Sequence, residues 1–203
     1  MGSKNFFILL ICFILSLFSC SNEAPKVIFV ESQLYYDIET KTFGLSLFGS
    51  FPYDSTKITK IQLNHLESQI FWNIQNVENI KNKKNAEYFG YSAFIAPEKG
   101  FEPGEYEIQF FDEANRSSKI SFQLKSFDLI EDKEKIKQLN NKEVHVGVFD
   151  ENHKMIALEE ENIEPSLILS KNKNAIYYRQ IIKDLDNDII YFLFQVNNIK
   201  GYK

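Results

Sequence analysis

The chain has 203 residues, with 28 acidic and 23 basic side chains and a formal charge of −5. That mild acidity gives it no electrostatic footing on nucleic acid or on an anionic lipid surface. Its two cysteines, Cys12 and Cys20, are too few for a disulfide framework or a cysteine-built zinc site, so an ordinary apolar core has to stabilise it.

Residues 1–19 read as a secretory signal peptide. Lys4 supplies the charged start, residues 6–18 are an almost unbroken apolar run, and the chain turns polar at Ser21-Asn22-Glu23. The run is shorter than the ~20 residues a spanning helix needs. Leu17-Phe18-Ser19-Cys20, at its end, resembles the relaxed lipobox of spirochaetal lipoproteins, where a bulky residue after the leucine is tolerated. The resemblance implies cleavage before Cys20, diacylation of its sulfur and attachment to the bacterial cell envelope through acyl chains. The outer membrane is the expected site, with the surface or periplasmic face left open. Cys12 leaves with the signal, so no free thiol remains. Residues 20–25 form a short lipidated tether that reaches no more than ~20 Å at about 3.5 Å per residue.

Residues 26–126 read as strand after strand, at 27–30, 43–48, 58–63, 70–74 and 88–95. Pro103-Gly104 then opens a hairpin with strands at 105–111 and 118–124 around a polar turn. Tyr106, Ile108 and Phe110 share one face, as do Ile120, Phe122 and Leu124 on the partner. Short strands with polar turns predict a mainly β chain, an antiparallel β-sandwich. Gly104-Glu105-Tyr106-Glu107-Ile108 before a hairpin is similar to the last two strands of immunoglobulin-like and fibronectin-type-III-like bacterial modules. The resemblance covers about residues 25–126. It implies an immunoglobulin-like sandwich with Tyr106 at a tyrosine corner, although no cysteine pair accompanies it. Trp72 is either the buried indole of that core or a plain strand residue.

Residues 127–203 predict a smaller β-rich C-terminal domain with one short helix, or an extension packed onto the sandwich. Ile130, Ile136 and Leu139 suggest the helix over 129–139. Strands are expected at 143–149, 154–158 and 166–169, and a hairpin at 175–183 and 189–196 closes the chain.

No constellation points to catalysis. Asp184, Asp186 and Asp188 have calcium-loop spacing, but Ile189 stands where the sharp turn needs glycine and Gln195 where a closing glutamate belongs. His145, Glu143 and His153 lack a metal-ligand spacing, and Glu159, Glu160, Glu161 and Glu164 read as a solvated face. The chain has no Gly-x-Ser-x-Gly elbow, no His-Glu-x-x-His helix and no glycine-rich phosphate loop, so no cofactor or metal is expected. Two aromatic groups are candidates for a partner surface, against the alternative that they fill the core. They are Tyr88, Phe89, Tyr91, Phe94 and Phe101 near the 97–103 loop, and Tyr177-Tyr178. The expected function is noncatalytic binding of a protein or glycan by a lipid-anchored protein. A periplasmic envelope assembly or accessory factor is the alternative, and a hydrolase with an unrecognised site ranks behind both.

Overall fold

Twelve strands and two short helices make up the computed structural model, which describes residues 23–52, 57–81, 87–97, 100–151, 155–161 and 163–198. In chain order the first eight strands are β1 (Phe29–Asp37), β2 (Thr42–Phe51), β3 (Ile58–His65), β4 (Phe71–Ile74), β5 (Glu78–Lys81), β6 (Glu87–Ile95), β7 (Gly104–Asp112) and β8 (Ser117–Leu124). There follow α1 (Lys133–Lys137), β9 (Lys142–Phe149), β10 (Met155–Glu160), α2 (Pro165–Lys171), β11 (Tyr177–Asp184) and β12 (Ile189–Asn198).

The alternating side chains sort the strands into two layers. β4-β3-β7-β8 form a four-stranded sheet, and β10-β9-β11-β12-β1-β2-β6-β5 form an eight-stranded one. Leu34, Tyr36, Leu45, Leu47 and Phe51 point from the large sheet into one apolar cluster with Ile61, Leu63, Ile108 and Phe110 from the small sheet. Phe51 and Phe110 meet edge to face across the layers at 5.1 Å. The fold is therefore mainly β and sandwich-like, as the strand pattern predicts.

The β7–β8 turn shows how local chemistry sets register. Asp112 accepts from the Ala114 and Arg116 amides at 2.9 Å each and from the Arg116 Nε at 2.8 Å. Asn115 takes the left-handed conformation, φ 63°, that its short polar side chain tolerates. At the start of β7, Gly104 has φ +150°, and a Cβ there would stand 2.4 Å from the His65 Nε2. Tyr106 donates its hydroxyl to the Glu102 carbonyl, four residues back, at 2.8 Å.

The C-terminal strands do not stand apart from the N-terminal ones. β12 lies parallel to β1, pairing Leu34 with Ile189 and Asp37 with Phe192, whereas every other pairing among the described residues is antiparallel. The segment between β8 and β9 crosses back over the core with Phe127, Leu129, Ile130 and Ile136, which lets the β11–β12 hairpin take the free edge of β1. Left unpaired, that edge would expose backbone beside the buried Leu34 and Tyr36.

Three local expectations need correction. Residues 166–169 are not a strand but part of α2, which Pro165 opens at its first turn, with Ile168 buried against Val146, Val148 and Ala175. The apolar run Leu167-Ile168-Leu169 is too short to separate strand from helix by period. β1 runs on to Asp37, well beyond residue 30. The helix expected over 129–139 shrinks to α1, which starts where Asp132 caps the amides of Glu134 and Lys135.

Candidate functional site

The four-stranded sheet and α2 pack against one face of the large sheet, and the clusters they form take the inward residues of its strands. On the opposite face, β9, β11, β12 and β1 bring Phe149, Tyr177, Arg179, Phe192, Tyr35 and Asp37 around an open cleft of about 440 Å³, with Glu39 and Thr40 at its rim. Register places them together. Tyr177 opposes Phe149, and Asp37 opposes Phe192 across the parallel pair.

Arg179 is the centre of this cleft. It is buried, and its Nη1 and Nη2 donate to the two carboxylate oxygens of Asp37 at 2.6 and 2.8 Å, a bidentate fork. Its Nε donates to the Leu193 carbonyl at 2.7 Å, and Nη2 also reaches the Phe192 carbonyl at 3.3 Å. The register of β11 against β12 shifts on both sides of Arg179. A bulge of this kind re-aims backbone groups, here toward the guanidinium. Burial pushes the Asp37 carboxyl up. The Arg179 hydrogen bonds and charge, joined by the Thr40 and Glu39 amides, outweigh it and hold the group below its ordinary value. Burial, then the neighbouring Tyr91 and Asp37, pushes the Tyr35 phenol up to about 12, so it stays a neutral hydroxyl.

The aromatic lining is ordered. Phe149 and Tyr177 stack at 5.0 Å and 3° between planes, while Phe192 meets Tyr35 edge to face at 6.0 Å. The apolar surface continues to the edge of the sheet. Met155 opposes Phe149 and Leu158 opposes Gly147, and these two β10 residues are 45% and 54% exposed. An edge strand carrying exposed apolar side chains beside unpaired backbone is a template for another chain.

The residues singled out from sequence divide. Phe89, Phe94 and Phe101 are core residues, at 3%, 0% and 4% exposure, and do not form a partner surface. Alternation turns Phe89 inward, and Phe101 stacks on Trp72 at 5.4 Å. Tyr91 is half-buried against Phe94, and Tyr88 is half-buried on the outer face, edge to face with Phe29. Tyr177 lines the cleft, while Tyr178, on the opposite face of β11, packs against the α2 cluster. Sequence reasoning passed over Arg179 and Asp37. The available signal was that only Arg116 and Arg179 are arginines in a lysine-rich chain, and each grips an aspartate.

Other constellations resolve into local structure. Asp184 accepts from the Asp186 and Asn187 amides, while Asp188 pairs with Lys183 at 3.0 Å and Asp186 accepts from Asn141. His145 lies 3.7 Å from Glu143, and His153 is outside the described residues, as is Cys20. Ser68 Oγ lies 2.5 Å from the His65 Nδ1, and a Glu102 oxygen lies 3.9 Å from the same nitrogen. A nucleophile relay needs its serine and its acid on opposite ring nitrogens. Here both face Nδ1, while Nε2 is buried against Gly104 with no hydrogen-bond partner among the described residues. The contact closes the turn after β3. No helix among the described residues is long and apolar enough to cross a membrane.

No family model matches the chain, and neither the curated proteins nor the solved structures contain a match to it.

Proposed function

We propose that this chain is a lipid-anchored envelope protein, held by acyl chains on Cys20, that works without catalysis by offering its large sheet to a protein partner. The observation that carries this reading is the outer face at the sheet edge, where the exposed Met155 and Leu158 lie beside the largely buried Phe149–Tyr177 stack that floors the cleft. Position supports it as well. β1 starts at Phe29, nine residues after Cys20, and ends at Asp37 on the cleft. A strand of that length spans roughly 26 Å at ~3.3 Å per residue, so the cleft lies at the end of β1 away from the anchor. With Asp37 and Glu39 around the single Arg179 the cleft carries one net negative charge, which favours a partner that places a basic group beside its apolar contacts.

The test compares the wild-type chain with a Met155→Lys/Leu158→Lys variant, each immobilised through Cys20 and exposed to solubilised envelope proteins. A protein retained by the wild type and lost from the variant, at unchanged thermal stability of the variant, is the expected result. Equal retention by both rejects the sheet edge as the binding surface. The anchor is tested separately, by whether Cys20→Ser releases the protein from membranes under alkaline washing.

A further inference from the structure

At the opposite end of β1 a second apolar surface stands beside the tether. Phe29 pairs with Ser50, Ser50 with Tyr88, and Tyr88 with Ile80, so these residues form one row across β1, β2, β6 and β5. Ser50 is buried beneath the Phe29–Tyr88 contact, whose rings meet edge to face at 6.3 Å. Phe29 is 41% exposed and Ile80 50%, and Ile28, just before the strand, is 55% exposed. Two residues further along the strands, the row level changes character. Glu31 pairs with Phe48, Phe48 with Gly90, and Gly90 with Glu78.

From this arrangement we infer that the row of Phe29, Tyr88 and Ile80 is a second membrane contact, seated in the lipid interface beside the anchor. The inference rests on the lipid-anchor reading for its occupant. Phe29 lies nine positions after Cys20, which at about 3.5 Å each keeps the β1 end of the row within ~32 Å of the acylated sulfur. Exposed aromatic and aliphatic side chains at that distance bury into the headgroup–acyl boundary, where ring edges and apolar surface both leave water. The acidic level sets the depth. Glu31 and Glu78 lie two residues, or ~7 Å, beyond the row, which matches the shallow 5–10 Å burial of interfacial elements and stops the sheet from sinking further. A row perpendicular to the strands then holds the sheet upright and turns the cleft end of β1 away from the bilayer. One acyl-bearing residue on a short tether leaves orientation free, and the row fixes it.

The experiment uses the chain from residue 20 to 203, which contains all the described strands and helices, coupled through Cys20, its one thiol, to maleimide-bearing phosphatidylcholine vesicles with brominated acyl chains. Tryptophan is placed in the row by Phe29→Trp or Ile80→Trp and, as a control at the far edge, by Leu158→Trp. Trp72 is common to all three and to the parent chain. The added emission of the row variants should fall about twofold on brominated against plain lipid, the loss expected of a ring seated in the interface, while that of the Leu158→Trp control stays constant. Equal emission on the two lipids for both row variants overturns the inference. Thiol coupling holds the chain on the vesicle whatever its processing in the cell, so this result is independent of the anchor. The mass of the native N-terminal peptide tests diacylation of Cys20 by itself.

Discussion

Replacing Asp37 by alanine should be among the more costly changes on the open face of this sheet. In the folded chain Arg179 has four donor contacts, at 2.6 and 2.8 Å to Asp37, 2.7 Å to Leu193 and 3.3 Å to Phe192. Asp37→Ala leaves the two carbonyl contacts but removes the counter-charge, and the nearest remaining carboxylate, Glu39, lies 3.8 Å away and is 48% exposed. Breaking a fully buried pair costs ~3–5 kcal/mol. The Asp37 side chain is 17% exposed and Glu39 takes up part of the charge, so the expected loss is about 2–3 kcal/mol after discounting for solvent screening. Arg179→Met should cost a similar amount, because it leaves the Leu193 carbonyl and the Asp37 carboxylate short of donors. Once Arg179 is methionine, Asp37→Ala removes a carboxylate that has lost its counter-charge and keeps only the Glu39 and Thr40 amides, so the double variant should fall well short of the sum of the two. The assay is urea unfolding followed by the fluorescence of Trp72, the only tryptophan, with all four proteins measured at one pH. A loss below about 1 kcal/mol for Asp37→Ala, or additivity within ~0.5 kcal/mol, would refute the pair as the tie between β11 and β1.

Gly44 and Gly90 test the outer face in a different way. A Cβ at Gly90 meets the Leu47 carbonyl at 2.2 Å, whereas one at Gly44 meets the tip of the Tyr35 ring at 2.2 Å. Backbone cannot swing aside and a ring can, so Gly90→Ala should lower the urea midpoint clearly more than Gly44→Ala, and the reverse order would contradict this packing. Asp112 carries the pH prediction. Burial raises its carboxyl, but the Arg116 hydrogen bonds and charge, with the Ala114 amide, hold it below its ordinary value. Its contribution is therefore fully present above the unfolded carboxylate value of ~3.9 and is lost as pH falls through the folded one. Asp112→Asn should be less stable than wild type at neutral pH, and the gap should close on acidification. A gap that is constant with pH would show that the charge is not what matters there.

Local chemistry was readable from sequence wherever the partners are neighbours. The β7–β8 hairpin is legible because Asp112, Asn115 and Arg116 settle its turn within five residues, and Tyr106 bonds only four residues back. α1 is legible in part, since Asp132 supplies its cap but the apolar spacing around it overstates its length. The cleft was not legible, because Asp37 and Arg179 are 142 residues apart and nothing local marks either one. The same holds for the burial of Phe89, Phe94 and Phe101. Their aromatic character fits a core or an exposed patch equally well, and only the opposing sheet decides between them. α2 escaped because its apolar run, residues 167–169, is too short to separate a period of 3.6 from one of 2.

The parallel pairing of β1 with β12 explains how strands from the early and late parts of the sequence share one sheet. β1 begins level with Tyr88 and Ile80 and ends at the cleft, level with Phe192 and within reach of Arg179. Because β12 runs in the same direction, its final residues continue past Asp37, and β11 and β9 follow them in register, with Tyr177 opposing both Asn198 and Phe149. An antiparallel β12 would instead have carried its last residues back toward Phe29. The sheet thus extends beyond the Asp37 end of β1 by the use of residues late in the sequence. The arrangement has a cost in folding, since the contact that closes β1 joins the two termini and has to wait for nearly the whole chain. Until β12 arrives, β1 presents one open edge beside Leu34 and Tyr36. The Arg179–Asp37 fork across β12 is the contact that then fixes the late hairpin to the early strand.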